Sequence, residues 1–226
     1  MIIDLHTHTR PASTCSIMPP EELVQRVKEI GLDGVCLTEH NKVHDPTFIQ
    51  DLSQRYGITV LQGVEMVTLE GDILLFSEHI PELLEEIREV ISVRKIRGIV
   101  NQIGGAIIAA HPLRSVFLSQ DSYRTEIFYK KIQEVCSRIL LRWVDGMETY
   151  NGNDLDIQNL MALEVSRELN LVATGGSDAH CAKDVGKFFT IFDDGVSCER
   201  ELVEALKEGR VKAGSREPLM ERGSDK

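Results

Sequence analysis

Two histidines, His6 and His8, stand at alternate positions just after the apolar run Met1-Ile2-Ile3. In an extended strand alternate side chains share a face, so both imidazoles would point the same way. Such a pair is half of a metal site. Residue types able to complete it recur downstream: Glu39-His40, Glu65, Asp72, His111, and Asp178 with His180. Imidazoles with carboxylates and no thiolate cluster suit Zn, Mn or Fe rather than a cysteine-rich structural zinc. There are more potential ligands than one tetrahedral ion needs, which predicts two or three divalent ions close together with Glu65 as a bridging carboxylate. Clustered ions of this kind suit phosphate-ester hydrolysis. One acidifies a bound water, and a pair clamps the attacking and leaving oxygens.

The elements that must position these groups alternate between short β-rich runs and amphipathic helical stretches. Strands are predicted over Ile2–Leu5, Gly34–Thr38, Ile58–Val64, Ile73–Phe76, Ala106–Ala110, Gly146–Thr149, Leu171–Thr174 and Phe188–Phe192. Glu70-Gly71-Asp72 reads as a hairpin turn. Helices are predicted over Pro20–Ile30, Pro46–Tyr56, the stretch 81–103, Thr125–Leu140, Asp154–Leu169 and Cys198–Lys207, several opened by proline and stopped by glycine. This alternation predicts an α/β fold with a parallel sheet, whose functional groups gather at the C-terminal ends of the strands. His6, His8, His40, Glu65, His111, Asp178 and His180 all follow predicted strands, whereas Asp72 begins one.

The 226 residues suit one domain, expected over residues 1–213, with a loose polar tail over 214–226. No stretch reaches the roughly 20 apolar residues of a membrane span, so no membrane partner is expected. The five cysteines lack paired spacing, which points to a reducing, cytoplasmic protein, and the His pair so near the start argues against a cleaved leader. A net charge of −11 disfavours a broad duplex-binding surface but not a small anionic substrate, because bound divalent ions invert the local field. No dinucleotide or Walker fingerprint occurs.

The ordered motifs Asp4-x-His6-x-His8, Thr38-Glu39-His40, Gly63-Val64-Glu65, Ala110-His111-Pro112 and Ser177-Asp178-x-His180 resemble the PHP family (polymerase and histidinol phosphatase) from Met1 to about Phe192. The resemblance implies a distorted (β/α)7 barrel with a bi- or trinuclear centre. It implies that His6, His8, Glu65 and Asp178 hold a first ion, Glu65 and His111 a second, and His40 and His180 a third. Asp72 stands where the family usually carries His, and Cys15 is the nearest match to a His or Asp ligand in the first loop. Both are carried as expected ligands. The activity implied is a metal-dependent phosphomonoesterase or phosphodiesterase acting on a nucleotide, a short single-stranded oligonucleotide or a small phosphorylated metabolite. A metal-bound hydroxide near Glu65 is the expected nucleophile, with Asp178 or His180 assisting the leaving group.

Arg114, just after Ala-His-Pro, is expected to bind substrate phosphate through its planar fork. Asn151 is expected either to line the pocket or to cap the following helix. Glu39 is expected to orient a histidine, and His44 and His79 to lie in solvent. The alternatives are a histidinol-phosphate phosphatase, an amidohydrolase, which also opens on His-x-His, and a catalytically silent metal-binding regulatory module.

Overall fold

The predicted strand over Ile58–Val64 breaks at Gly63 in the computed structural model, which describes residues 1–219. Thr59–Gln62 (β3) ends one sheet and Val64–Thr68 (β4) begins another. A β-carbon at position 63 would lie 2.7 Å from the buried Phe76 ring, so only glycine lets the chain cross there. The first sheet also contains Ile2–Thr7 (β1), Gly34–Leu37 (β2), Phe188–Phe192 (β9) and Val211–Ser215 (β10), in the order β10-β9-β1-β2-β3. The second adds Gly71–Phe76 (β5), Ala106–Ala109 (β6), Gly146–Asn151 (β7) and Val172–Gly176 (β8) to β4, in chain order.

Both sheets are mixed, which corrects the expected parallel sheet. β1-β2-β3 and β6-β7-β8 run parallel, while β4, β5, β9 and β10 pair antiparallel. The expected seven-stranded barrel is therefore met only as a mixed α/β fold of two sheets, with no continuous closed ladder among the described residues. The sheets touch at two seams. At one, Glu65 N donates to Glu39 O (3.0 Å) and Asn41 N to Glu65 O (2.9 Å). At the other, Asp178 N donates to His6 O (2.7 Å) and His8 N to Ala179 O (3.0 Å).

Seven α-helices occur among the described residues: Pro20–Glu29 (α1), Pro46–Tyr56 (α2), Ile80–Glu86 (α3), Val93–Ile103 (α4), Glu126–Cys136 (α5), Asp156–Leu169 (α6) and Glu199–Glu208 (α7). They cover the sheets through apolar stripes such as Leu23, Val24 and Val27 of α1 and Val93, Ile96 and Val100 of α4. Each such side chain, fully buried, contributes about 1.5–3 kcal/mol. Asp45 caps α2 by accepting from Thr47 N at 2.7 Å, and Gly57 closes it at φ 68°. The stretch 81–103 is broken between α3 and α4, and the helix expected to reach Leu140 stops at Cys136. β10 was not predicted; it carries ordered backbone past residue 213, and Arg216 N then donates to Lys187 O. The rest of the expected tail, 220–226, lies outside the described residues.

A second glycine bears on function. A β-carbon at Gly176 would lie 2.5 Å from the His6 β-carbon, where β8 approaches β1. Gly176→Ala is expected to destabilise the protein by about 1–3 kcal/mol. Chemical denaturation reads this, and an unchanged midpoint would show that β8 can shift without cost.

Candidate metal centre

β1 delivers His6 and His8 to one face, as alternation requires, with both rings fully buried and their Nε2 atoms 3.0 Å apart. His6 is oriented from behind. Its Nδ1 lies 2.9 Å from Oε1 of Glu148 on β7, and because a carboxylate only accepts, that nitrogen carries the proton and Nε2 faces the cluster. Oε2 of Glu148 accepts from His111 N (2.8 Å) and from Asn151 Nδ2 (3.0 Å). One buried carboxylate thus fixes two of the expected ligands. Sequence reasoning assigned it no role; the available signal was an acid inside a strand that ends among the ligands. Glu148→Gln is expected to weaken metal affinity by about 10–100-fold. Metal titration of the folded variant checks this, and wild-type affinity would remove the orienting role.

Glu65 faces four imidazoles. Oε1 is 2.9 Å from His111 Nε2, while Oε2 is 2.9 Å from His40 Nδ1, 3.2 Å from His8 Nε2 and 3.6 Å from His6 Nε2. Asp178 divides its oxygens: Oδ1 lies 3.4 Å from His8 Nε2 and 3.5 Å from His6 Nε2, and Oδ2 accepts from Arg114 Nη2 at 2.7 Å. The His180 ring packs 4.7 Å from that of His8, and its Nδ1 donates to Asp178 O at 2.9 Å. His111 and Asp178 hold positive-φ backbone at 31° and 50°, which costs each about 1–3 kcal/mol; the His111 N–H is held by Glu148 and the Asp178 N–H by His6 O.

Electrostatics follow from this crowding. Burial opposes ionisation of Glu65 and Asp178, but the surrounding imidazoles, and Arg114 beside Asp178, outweigh it and hold both carboxyls well below the usual range. Burial opposes protonation of His6, yet Glu148, Asp178 and Glu65 raise its pKa well above the ordinary value. The pKa of His8 is also raised, against burial, by Asp178 and Glu65. The pKa of His180 is lowered, chiefly by burial.

Three triads bring their donor atoms within 4.8 Å of one another: His6, His8 and Asp178; His6, Glu65 and His111; and His8, His40 and His180. Five donor–donor edges, those among His6, His8 and Glu65 and those from His6 and His8 to Asp178, run 3.0–3.6 Å, near the roughly 3.4 Å expected around a tetrahedral ion with bonds of about 2.1 Å. The donor set and its spacing therefore fit divalent ions, and the triads share His6 and His8, so sites built on them would be contiguous.

Asp72 reaches the same end of the molecule because β5 runs antiparallel to β6: its carbonyl accepts from Ala110 N at 2.9 Å. Its carboxyl is near enough to feel His111 and Glu65, and burial raises its pKa, but it joins no triad among the described residues. Cys15 is exposed and likewise joins none. Arg114 is committed to Asp178, to Asp154 Oδ1 (2.9 Å) and to Asn151 Oδ1 (2.8 Å), with 41% of its side chain exposed. Asn151 is buried between Arg114 and Glu148 and does not cap α6.

Glu39 accepts from Thr9 N, Thr9 Oγ1 and Ser13 Oγ, and pairs with His44 Nε2 at 3.0 Å. Ser13 Oγ also lies 3.4 Å from His8 Nδ1, so Glu39 reaches His8 through that hydroxyl. His44 is thereby largely enclosed, against the expectation of a solvated ring, while His79 is exposed as expected. No described helix is long and apolar enough to cross a membrane.

Known proteins share this fold. The family model PHP_C, described as PHP-associated, matches residues 156–211. An uncharacterized protein of Methanocaldococcus jannaschii is 26% identical over 182 residues, which cover 75% of this chain and 94% of that one. Among solved structures, a two-domain Bacteroides vulgatus protein containing a predicted PHP-like metal-dependent phosphoesterase superposes with a TM-score of 0.65 and 19% identity, over 95% of this chain and 64% of that one. The lesion-specific endonuclease PfuEndoQ of Pyrococcus furiosus superposes with a TM-score of 0.61 and 17% identity, over 94% and 57% of the two chains. At those identities the two structures share the fold.

Proposed function

We propose that this chain, whose residues 156–211 match a PHP-associated family model and whose fold is that of a PHP-like protein, is a PHP-family enzyme that hydrolyses phosphate esters with the help of divalent metal ions. The observation that carries this reading is the convergence of five histidines with Glu65 and Asp178 into overlapping triads. His6, His8, Glu65 and Asp178 would hold one ion, Glu65 and His111 a second, and His40 and His180, with His8, a third. Bound there, divalent ions acidify a water and offset phosphate charge.

The protein's own groups then have distinct tasks. Glu65, with each oxygen turned to different histidines, is placed to bridge. Asp178, held ionised and tethered by Arg114, is suited to ligation more than to proton donation. His180, with Nδ1 fixed on a carbonyl, keeps Nε2 for a ligand or for a proton delivered to the leaving oxygen. Arg114 turns its exposed edge to the phosphate. Glu65 at the bridging position, rather than a lysine, favours this chemistry over an amidohydrolase. The substrate class is a nucleotide, a short single-stranded oligonucleotide or a small phosphorylated metabolite such as histidinol phosphate.

The test is elemental analysis of the purified protein joined to a phosphate-release panel: p-nitrophenyl phosphate, nucleoside monophosphates, histidinol phosphate and short RNA, beside a dihydro-ring amide. Metal-dependent phosphate release is expected. Amide hydrolysis alone would indicate an amidohydrolase, and full metal occupancy without hydrolysis would indicate a silent metal-binding module.

A further inference from the structure

Next to the ligand cluster lies a cavity of about 300 Å³ whose walls include His111, Arg114, Asp72, Glu70, Ser115 and Arg138. Arg138 follows the C-terminal end of α5 and reaches back across the cavity. Its Nη1 donates to Pro112 O at 2.5 Å, the carbonyl next in the chain to His111. The guanidinium thus stands one residue from an expected metal ligand without being one.

Its charge is poorly matched. Burial pulls its pKa below the ordinary value, and Glu134, the acid whose charge opposes that shift, is engaged by Lys131 at 2.6 Å. Arg138 forms no ion pair among the described residues, whereas Arg114 is held by Asp154 and Asp178. Of the acids in the same lining, Glu70 accepts from Val93 N at 2.9 Å, and Asp72 feels the charges of His111 and Glu65. Arg138 also lines a second cavity of about 310 Å³, shared with Ser115, Phe117, Lys131 and Glu134. A half-buried guanidinium with no ion-paired carboxylate among the described residues, in a chain of net charge −11, is a planar donor fork open to an anion.

We propose that Arg138 binds a second anionic group, a phosphate or carboxylate on the leaving-group portion of the substrate, distinct from the ester being cleaved. This rests on the phosphoesterase reading. With the scissile phosphate among Glu65, His111 and Asp178, the His111-side cavity is the room left for the alcohol it is cleaved from. An anion on that alcohol would meet Arg138 in the cavity wall.

The test compares kcat/KM of the metal-loaded protein on propyl phosphate with that on propane-1,3-diol and hexane-1,6-diol bisphosphates, for wild type, Arg138→Met and Arg138→Lys. Wild type is expected to favour at least one bisphosphate by about tenfold, beyond the statistical advantage of two identical esters and on the scale of one charge-assisted hydrogen bond. Arg138→Met should abolish most of that preference through KM, and Arg138→Lys should restore part of it. No preference in wild type overturns the proposal. So does an equal loss on all substrates in Arg138→Met, which would make Arg138 a prop for Pro112 and His111. Failure of metal-loaded wild type to cleave any ester would instead defeat the phosphoesterase reading, and this proposal with it.

Discussion

Asp178→Asn and His8→Ala are each expected to lower kcat/KM on the best phosphate ester by about 100-fold or more, the scale seen when a preorganised charge stabiliser is removed. The two changes strike the same point from opposite sides. Asp178 Oδ1 and His8 Nε2 are 3.4 Å apart, and both lie within 3.6 Å of His6 Nε2. Asparagine keeps the shape of Asp178 but removes its charge, and it must turn its NH2 either toward the imidazoles or toward the Arg114 guanidinium. Turned to Arg114 the NH2 sets donor against donor, and turned to the imidazoles it offers an N–H where an ion would need a lone pair. Alanine at position 8 removes the ring that contacts both Glu65 and Asp178 and packs against His40 and His180. The check is kcat/KM together with metal content and a thermal melt, so that loss of folding is separated from loss of chemistry. Near wild-type turnover in a folded, metal-loaded Asp178→Asn protein would end the role assigned to that carboxylate.

Much of this centre was legible because its signals are local. Alternation alone puts His6 and His8 on one face, and Pro46 with Gly57 marks the ends of α2 to the residue. His111, Asp178 and His180 follow their strands as expected. What was not legible depends on chain segments far apart in sequence. Nothing in the apolar run over 58–68 announces that the Phe76 ring will occupy the space beside Gly63 and force the chain into a second sheet. The antiparallel run of β5 follows from the hairpin that joins it to β4, and it explains why Asp72 can start a strand yet lie at the same end as residues that finish theirs. Glu148 meets His6 across 142 residues, and Arg138 meets Pro112 across 26. His44 is largely enclosed beside Glu39, whose carboxylate also accepts from Thr9 and Ser13. Two-body contacts of this kind carry no periodicity, so pattern reading passes over them.

Metal binding should raise the melting temperature, and raise it more at pH 8 than at pH 6. At a free Mn concentration about 1,000 times Kd, binding contributes about 4 kcal/mol, or roughly 8–16 °C for a chain of this size. The pH dependence follows from the cluster itself. Without metal, His6 and His8 have raised pKa values: burial opposes their protonation, but the surrounding carboxylates outweigh it. The stability those protonated rings lend the metal-free fold is fully present below about pH 6.5, the ordinary histidine value, and is lost as pH rises through their raised folded values. Glu65 and Asp178, held below their ordinary values, contribute in the opposite sense: their share is present above about pH 4 and lost only in acid. Between pH 6 and 8 the carboxylates therefore stay ionised in both states and the histidines dominate. An ion needs neutral imidazoles, so at pH 6 it must displace protons that the metal-free cluster holds tightly, while at pH 8 fewer remain to be displaced. Melts with Mn or with chelator at the two pH values measure the difference directly. A metal-induced shift that is absent would remove the metal centre, and one equal at both pH values would show that His6 and His8 are not the groups that exchange protons for metal.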